Sequence, residues 1–378
     1  MAKILFLTLE GGGNLPPALL IAGELLRRGH EVCFLGHPQQ AAQIEGAGFR
    51  FEPYRRARAF TAVTARPGLR STLAWIPLFT DHGPGRDLDD LLSREGADLV
   101  VIDCLLGGAF ASARRSGVPT IMLMHTFIRF WSAQWRGPLG LITKVTRSNP
   151  LDAVTASVLL TTLPDLDPIA RGAGIAADRV RQVGPVLPPL AVAPKRRAAA
   201  ARPRLLVSLS TISQPGQREL LQRLLDAIAD LPVDAIVTAG PAIDPATLRV
   251  PANATAQQFV AHTEIMPTID LVVGHGGHGT TMLALAHDLP LLMIPLSPMI
   301  DQPMVAAAVQ EAGAGVALPM KSSVGQLRDA ISGLLSDEGA RAAARALGAQ
   351  IRSANGTHAA ADQIEVLAAE SEPAHRRR

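Results

Sequence analysis

The sequence predicts an α/β protein of two doubly wound, parallel-sheet domains facing each other across a cleft. Three observations carry that expectation. At 378 residues and 48% hydrophobic content, the chain is too long for one typical core. Short apolar strands alternate with longer amphipathic stretches along its length, the rhythm of parallel sheets covered by helices. A proline-rich break, PVLPPLAVAPKRRAAAARPR at 185–204, has five prolines and no coherent apolar face.

The first half opens with an apolar strand over Lys3–Leu9, a helix over Pro17–Arg28 and a strand over Glu31–Leu35. A strand at Asp98–Asp103, a helix at Gly108–Ser116 and a strand at Pro119–Met124 follow. The second half repeats the alternation with Arg204–Leu209, Gly216–Asp230, Ala235–Thr238, Leu271–Val273, Thr280–His287 and Leu291–Ile294. Helical spacing closes the chain at Ala340–Leu347 and Thr357–Glu370. The expected boundaries are a first domain 1–184, a linker 185–204, a second domain 205–355, a closing helix 356–370 and a disordered tail 371–378.

Composition excludes several classes. The apolar runs are broken by Pro, Gly or charge well short of a membrane span, and the opening MAKILFLTLEGGG reads as a strand, not a secretory signal. Two cysteines, Cys33 and Cys104, cannot build a disulfide framework, which fits a reducing, cytoplasmic setting. The 36 cationic and 33 acidic residues nearly balance, and the clusters Lys195-Arg196-Arg197 and Arg376-Arg377-Arg378 sit in loop-like sequence. Solvated charge is the better reading of both, so no nucleic-acid partner is expected.

The second half's chemistry centres on VVGHGGHGTT, residues 272–281. A strand that ends in glycines and turns into a helix presents unpaired N–H groups at the positive end of the helix dipole. Bare backbone there lets an anion approach, most often phosphate. His275 and His278 can donate to phosphate oxygens, and Thr280 or Thr281 can cap the helix or bind an oxygen. A Walker A loop is excluded because no GK[ST] follows. Zinc held by His275, His278 and His287 is disfavoured because nothing completes the set at metal spacing.

The order Thr211, Phe259, His275–Thr280, Asp301-Gln302 resembles the nucleotide-sugar domain of family 1 GT-B glycosyltransferases, the bacterial natural-product (macrolide-type) branch. MAKILFLTLE…LRRGHEV is likewise similar to that family's first β-α-β unit. The resemblance implies a GT-B fold and a UDP- or dTDP-sugar donor, with no cofactor and no metal. It places Phe259 and the Val260 backbone at the base, Thr211, His275, Gly277, His278, Gly279 and Thr280 at the diphosphate, and Asp301 and Gln302 at the donor sugar. Two positions depart from the family pattern: Leu283 stands where a ribose-binding Glu is common, and Val305 where Asn often follows DQ.

In that family the base that deprotonates the acceptor is a histidine just after the first strand. Here the turn reads Gly13-Asn14-Leu15-Pro16-Pro17, and Asn14 takes the histidine's place. An amide is no base near neutral pH. The family's orienting aspartate is matched by Asp103 in LVVIDCLLGGAF. Three readings stay open. Asp103 or His125 (in IMLMHTF) supplies the base; the acceptor needs little deprotonation and Asn14 positions it; or the chain is a non-catalytic helper. Cys104 reads as a buried thiol, not a nucleophile, because no base is evident beside it.

Of the 14 aromatic residues, 13 precede the linker. Trp75, Phe79, Phe127, Phe130, Trp131 and Trp135 fall in segments that read as loops after strands, which suggests an apolar surface for a lipophilic acceptor. The expected activity is therefore inverting, metal-independent transfer of a hexose or deoxyhexose to a small hydrophobic molecule, by a monomer or homodimer. A dinucleotide dehydrogenase is excluded because G-x-G-x-x-G would need glycine at Pro16. A sugar-nucleotide epimerase shares the architecture but would need more acid–base groups in the first half.

Overall fold

The computed structural model describes residues 1–60, 76–149, 157–169, 177–190, 202–211 and 214–375. They form two compact units. The described residues up to Val186 group with those from Ala354 onward, and Leu187–Ser353 belongs to the second unit. The last helix thus joins the first unit, not the second.

The first unit runs β1 (Lys3–Leu7), α1 (Leu15–Arg27), β2 (Glu31–Gly36), α2 (Ala41–Gly46), β3 (Arg50–Pro53), α3 (Gly83–Glu95), β4 (Leu99–Asp103), α4 (Gly107–Ser116) and β5 (Thr120–Met124). It continues with α5 (Ile128–Arg136), α6 (Pro138–Val145), β6 (Ser157–Leu160) and β7 (Val180–Gln182). The seven strands are all parallel, in the order β3-β2-β1-β4-β5-β6-β7. Because both faces are covered, alternate residues of β1 enter different cores. Leu5 and Leu7 pack with Leu88, Leu91 and Phe110 on one face. Ile4 and Phe6 pack with Ile21, Leu25 and Ile364 on the other. Pro16 and Pro17 are accommodated because α1 begins at Leu15 and first-turn N–H groups need no helical partner.

The second unit contains β8 (Arg204–Ser208), α7 (Gln217–Ile228), β9 (Asp234–Thr238), β10 (Ala254–Gln257), α8 (His262–Ile265), β11 (Leu271–Gly274), α9 (His278–Ala286), β12 (Leu291–Met293), α10 (Gln302–Glu311), β13 (Gly315–Ala317), α11 (Val324–Ser336) and α12 (Glu338–Ala354). Its six parallel strands lie in the order β10-β9-β8-β11-β12-β13. Arg204, expected to end the linker, is the first residue of β8.

Helix α13 spans Gly356–His375, so the expected disordered tail is helical as far as His375. It lies on α1, where Arg28 reaches Glu24 at 2.7 Å, Asp362 at 2.6 Å and Glu365 at 2.7 Å. Among the described residues, no helix is long and apolar enough to cross a membrane.

Candidate active site

In both sheets the strand order reverses next to the first strand, between β1 and β4 and between β8 and β11. Connections leave in opposite directions at such a point, which opens a crevice beyond the carboxyl ends of the strands. Asn14 follows β1 and Asp103 ends β4. Ser208 ends β8 beside Gly274, which ends β11.

At the first crevice Asp103 is 4% exposed. Its Oδ1 accepts the Leu105 N–H at 2.9 Å, a local turn that fixes the carboxylate's orientation. Oδ2 is then shared: Asn14 Nδ2 donates to it at 3.0 Å, and His125 Nε2 stands 3.0 Å away. His125 comes from the loop just beyond β5, which pairs with β4 in register from Val100↔Thr120 to Asp103↔Leu123. That pairing makes the His125–Asp103 contact possible although 22 residues separate them. Burial opposes a charge on His125, yet the adjacent Asp103 carboxylate outweighs it and holds its pKa well above the usual histidine value. With Nε2–H committed to Asp103, Nδ1 carries the basic lone pair only above that raised pKa; below it both ring nitrogens are protonated. Cys104 Sγ lies 3.9 Å from His125 Nε2, and burial pushes its pKa up, so it is a neutral thiol and not a nucleophile.

Asn14 is 7% exposed and held as a brace for the carboxylate. Gly11 is what lets it sit there, since a Cβ on that residue would come within 2.8 Å of Asn14 Oδ1.

The second crevice holds the glycine turn. Gly276 has φ +80°, a conformation that disfavours side chains, and a Cβ there would meet the Gln302 carbonyl at 2.9 Å. Gly277 is the N-cap of α9, and a Cβ on it would lie 2.4 Å from His275 Nε2, so the imidazole rests over bare backbone. Beside Gly279 nothing lies within 4 Å of a built Cβ, so that position is open. No side chain caps α9, contrary to the capping expected of Thr280 or Thr281; Thr281 is 2% exposed and lies a full turn into the helix. A helix start without a side-chain cap is where an anion can take the cap's place.

His275 is held neutral: burial brings its pKa down to about 4. Its Nδ1 is buried without a hydrogen-bond partner. Phe259 is 78% exposed just past β10, an aromatic face with nothing over it, and the following Val260 is half-buried. Thr211 is exposed beyond β8. Leu283 and Val305 are both buried core residues, which accounts for the apolar side chains there.

Asp301 is half-buried at the N-cap position of α10 without capping it by its side chain. Gln302 is 3% exposed and its Oε1 accepts the Leu296 N–H at 2.8 Å. It braces the loop after β12 through that oxygen.

Two expectations need correction. Phe127, Phe130, Trp131 and Trp135 are not on a loop: Phe127 is the N-cap of α5 and the others lie on that helix. Phe127, Trp131 and Trp135 are 0, 5 and 8% exposed, and Trp131 stacks on Trp135 at 5.8 Å while Phe79 and Phe130 meet it edge-on. Helical spacing turns these rings inward, so they build core, and only the half-buried Phe79 and Phe130 keep partial exposure. Trp75 lies outside the described residues. The three second-half histidines form no metal-ligating group among the described residues; that pattern appears instead at Asp103, Cys104 and His125. The sequence named Asp103 and His125 as rival bases, whereas the structure joins them in one unit.

Residues 222–367 match the family model described as erythromycin biosynthesis protein CIII-like, C-terminal domain. The chain is 27% identical to 4'-demethylrebeccamycin synthase of Lentzea aerocolonigenes, over 97% of this chain and 99% of that one. It is 26% identical to demethyllactenocin mycarosyltransferase of Streptomyces fradiae, over 97% and 87%. Along nearly its whole length the chain is thus similar to glycosyltransferases of natural-product type. Its fold is GT-B: a calicheamicin glycosyltransferase superposes with a TM-score of 0.78 at 23% identity, covering 97% of this chain and 98% of that one. Within this fold the two crevices hold different groups: a carboxylate shared by Asn14 and His125 in the first unit, and a glycine turn leading into a helix without a side-chain cap in the second.

Proposed function

We propose that this glycosyltransferase moves a hexose or deoxyhexose, with inversion and without a metal, from a UDP- or dTDP-sugar to a lipophilic small molecule. The single observation behind the acceptor step is the Asp103 carboxylate shared by Asn14 and His125. In its neutral form, populated above its raised pKa, His125 takes the proton of the acceptor hydroxyl on Nδ1 as that oxygen attacks the anomeric carbon. Asp103 stabilises the imidazolium that forms, and Asn14 holds Asp103 in place. The bond to the nucleoside diphosphate breaks in the same step. Its departing charge is met by the N-terminus of α9, with His275 as a neutral donor. Phe259 supplies the platform for the base, and Asp301 with the Gln302 amide faces the sugar hydroxyls.

The test is incubation with UDP- and dTDP-sugars and a panel of phenolic and alcoholic acceptors, with products identified by mass spectrometry and anomeric configuration by NMR. A β-glycoside from an α-linked donor supports the reading. A product that keeps the donor's configuration, or no nucleoside diphosphate release with any pair, overturns it.

A further inference from the structure

Three different metal-binding atoms converge at the first crevice: Asp103 Oδ2, Cys104 Sγ and His125 Nε2 all lie within 4.8 Å of one another. The His125–Asp103 separation is 3.0 Å and the His125–Cys104 separation 3.9 Å. Zinc bonds of about 2.0–2.3 Å at tetrahedral angles put ligand atoms about 3.4–3.6 Å apart. Shifts of about 0.4 Å at these two edges, well within side-chain torsional freedom, bring His125 to that spacing from both partners. Asp103 is pre-oriented for it, because the Leu105 N–H holds Oδ1 while Oδ2, which also accepts from Asn14, faces His125. The donor set, one thiolate, one imidazole and one carboxylate, suits a borderline-soft cation and not magnesium or calcium.

We propose that the Asp103–Cys104–His125 cluster is an inhibitory site for zinc or a similar thiophilic divalent cation. Three protein ligands leave the fourth position to water, as in exchangeable zinc sites. Binding releases the thiol proton of Cys104 to solvent and moves the single proton of neutral His125 from Nε2 to Nδ1. Metal on Nε2 leaves His125 neutral only with its proton on Nδ1, the nitrogen that accepts the acceptor's proton. The bound cation also draws off the negative charge of Asp103, which otherwise stabilises the imidazolium. Occupancy therefore switches off the base without touching the nucleotide turn. The inhibitory consequence rests on the reading of His125 as the base; the binding site itself does not.

Binding and consequence are measured separately on the untagged full-length chain stripped with chelator. Cobalt(II) is added first, and the thiolate-to-cobalt charge-transfer band in the near ultraviolet is followed. One equivalent is expected to produce the band, zinc to bleach it, and Cys104→Ser to abolish it. Absence of the band, or its persistence in Cys104→Ser, overturns the site; the only other cysteine, Cys33, is buried on β2. Where Cys104→Ser disturbs folding, His125→Asn in the same titration gives the independent check. Turnover with and without zinc is then compared at saturating donor. Stoichiometric zinc is expected to lower it at least tenfold in the wild type, with recovery on chelation and an inhibition constant weakened roughly 100-fold in Cys104→Ser. A cobalt band with unchanged turnover would leave a metal site but refute its inhibitory role.

Discussion

Replacing Asp103 with asparagine tests the acceptor half of the mechanism. The carboxylate makes three contacts, one through Oδ1 to the Leu105 N–H and two through Oδ2 to Asn14 and His125. An amide has a single acceptor oxygen, so one side of residue 103 must point an NH₂ at a donor. Hydrogen bonds to a charged group are worth about 1.5–3 kcal/mol each. At 3.0 Å and an effective dielectric of about 20, the charge interaction with an imidazolium is about 5 kcal/mol. Loss of that stabilisation corresponds to the roughly 10²–10⁴-fold decrease typical of a lost general acid–base contribution, about 3–5 kcal/mol in the barrier. Steady-state kcat with a phenolic or alcoholic acceptor is the assay. Calorimetric nucleoside diphosphate affinity is the control, because its turn lies in the other unit. His125→Gln should cost about as much, and the double variant little more than either single. An Asp103→Asn enzyme within threefold of wild-type kcat refutes the pair as the base.

The nucleotide side yields further expectations. His275→Ala should weaken nucleoside diphosphate binding by about 1 kcal/mol, roughly fivefold, because the imidazole enters as a neutral donor; an unchanged dissociation constant removes it from the site. Gly277→Ala forces the His275 ring off its seat, and affinity should fall at least as far as in His275→Ala while the thermal midpoint stays near wild type. Phe259→Ala should lower nucleotide affinity by about 1–1.5 kcal/mol without loss of stability, since the ring is 78% exposed in the free protein. Acid should destabilise the chain through groups whose folded pKa values are depressed, His275 and Glu24 among them. The unfolded chain binds more protons at His275 between about 4 and 6.5, and at Glu24, which Arg27 and then Arg28 hold down, between about 2 and 4.5. Stability is then present above those windows and lost as pH falls through them, and Arg28→Ala should flatten the lower part of a thermal midpoint-versus-pH curve.

Much of the fold was legible because alternating strands and helices write their periodicity into the chain. Boundaries such as Glu31–Gly36 and Leu99–Asp103 fall within a residue of those expected from apolar runs and turn residues. The short edge strands β3, β7, β10 and β13, of three or four residues, carry too little pattern to be read. α5 was missed because its aromatic residues resemble a binding loop until their helical spacing is seen in place.

The sequence by itself displayed the glycine turn proposed to bind the nucleotide. Gly274–Thr280 is contiguous, its chemistry resides in backbone that only glycine permits, and the strand before it and helix after it are local consequences of composition. Only the tertiary structure brought together the cluster proposed to activate the acceptor. Asn14, Asp103 and His125 come from three separate connections, and one shared carboxylate oxygen exists because β1, β4 and β5 lie side by side in parallel register. Strand order is a long-range property that hydrophobic pattern does not encode. A sequence can therefore display Asp103 and His125 as alternatives, and only the folded sheet makes them partners.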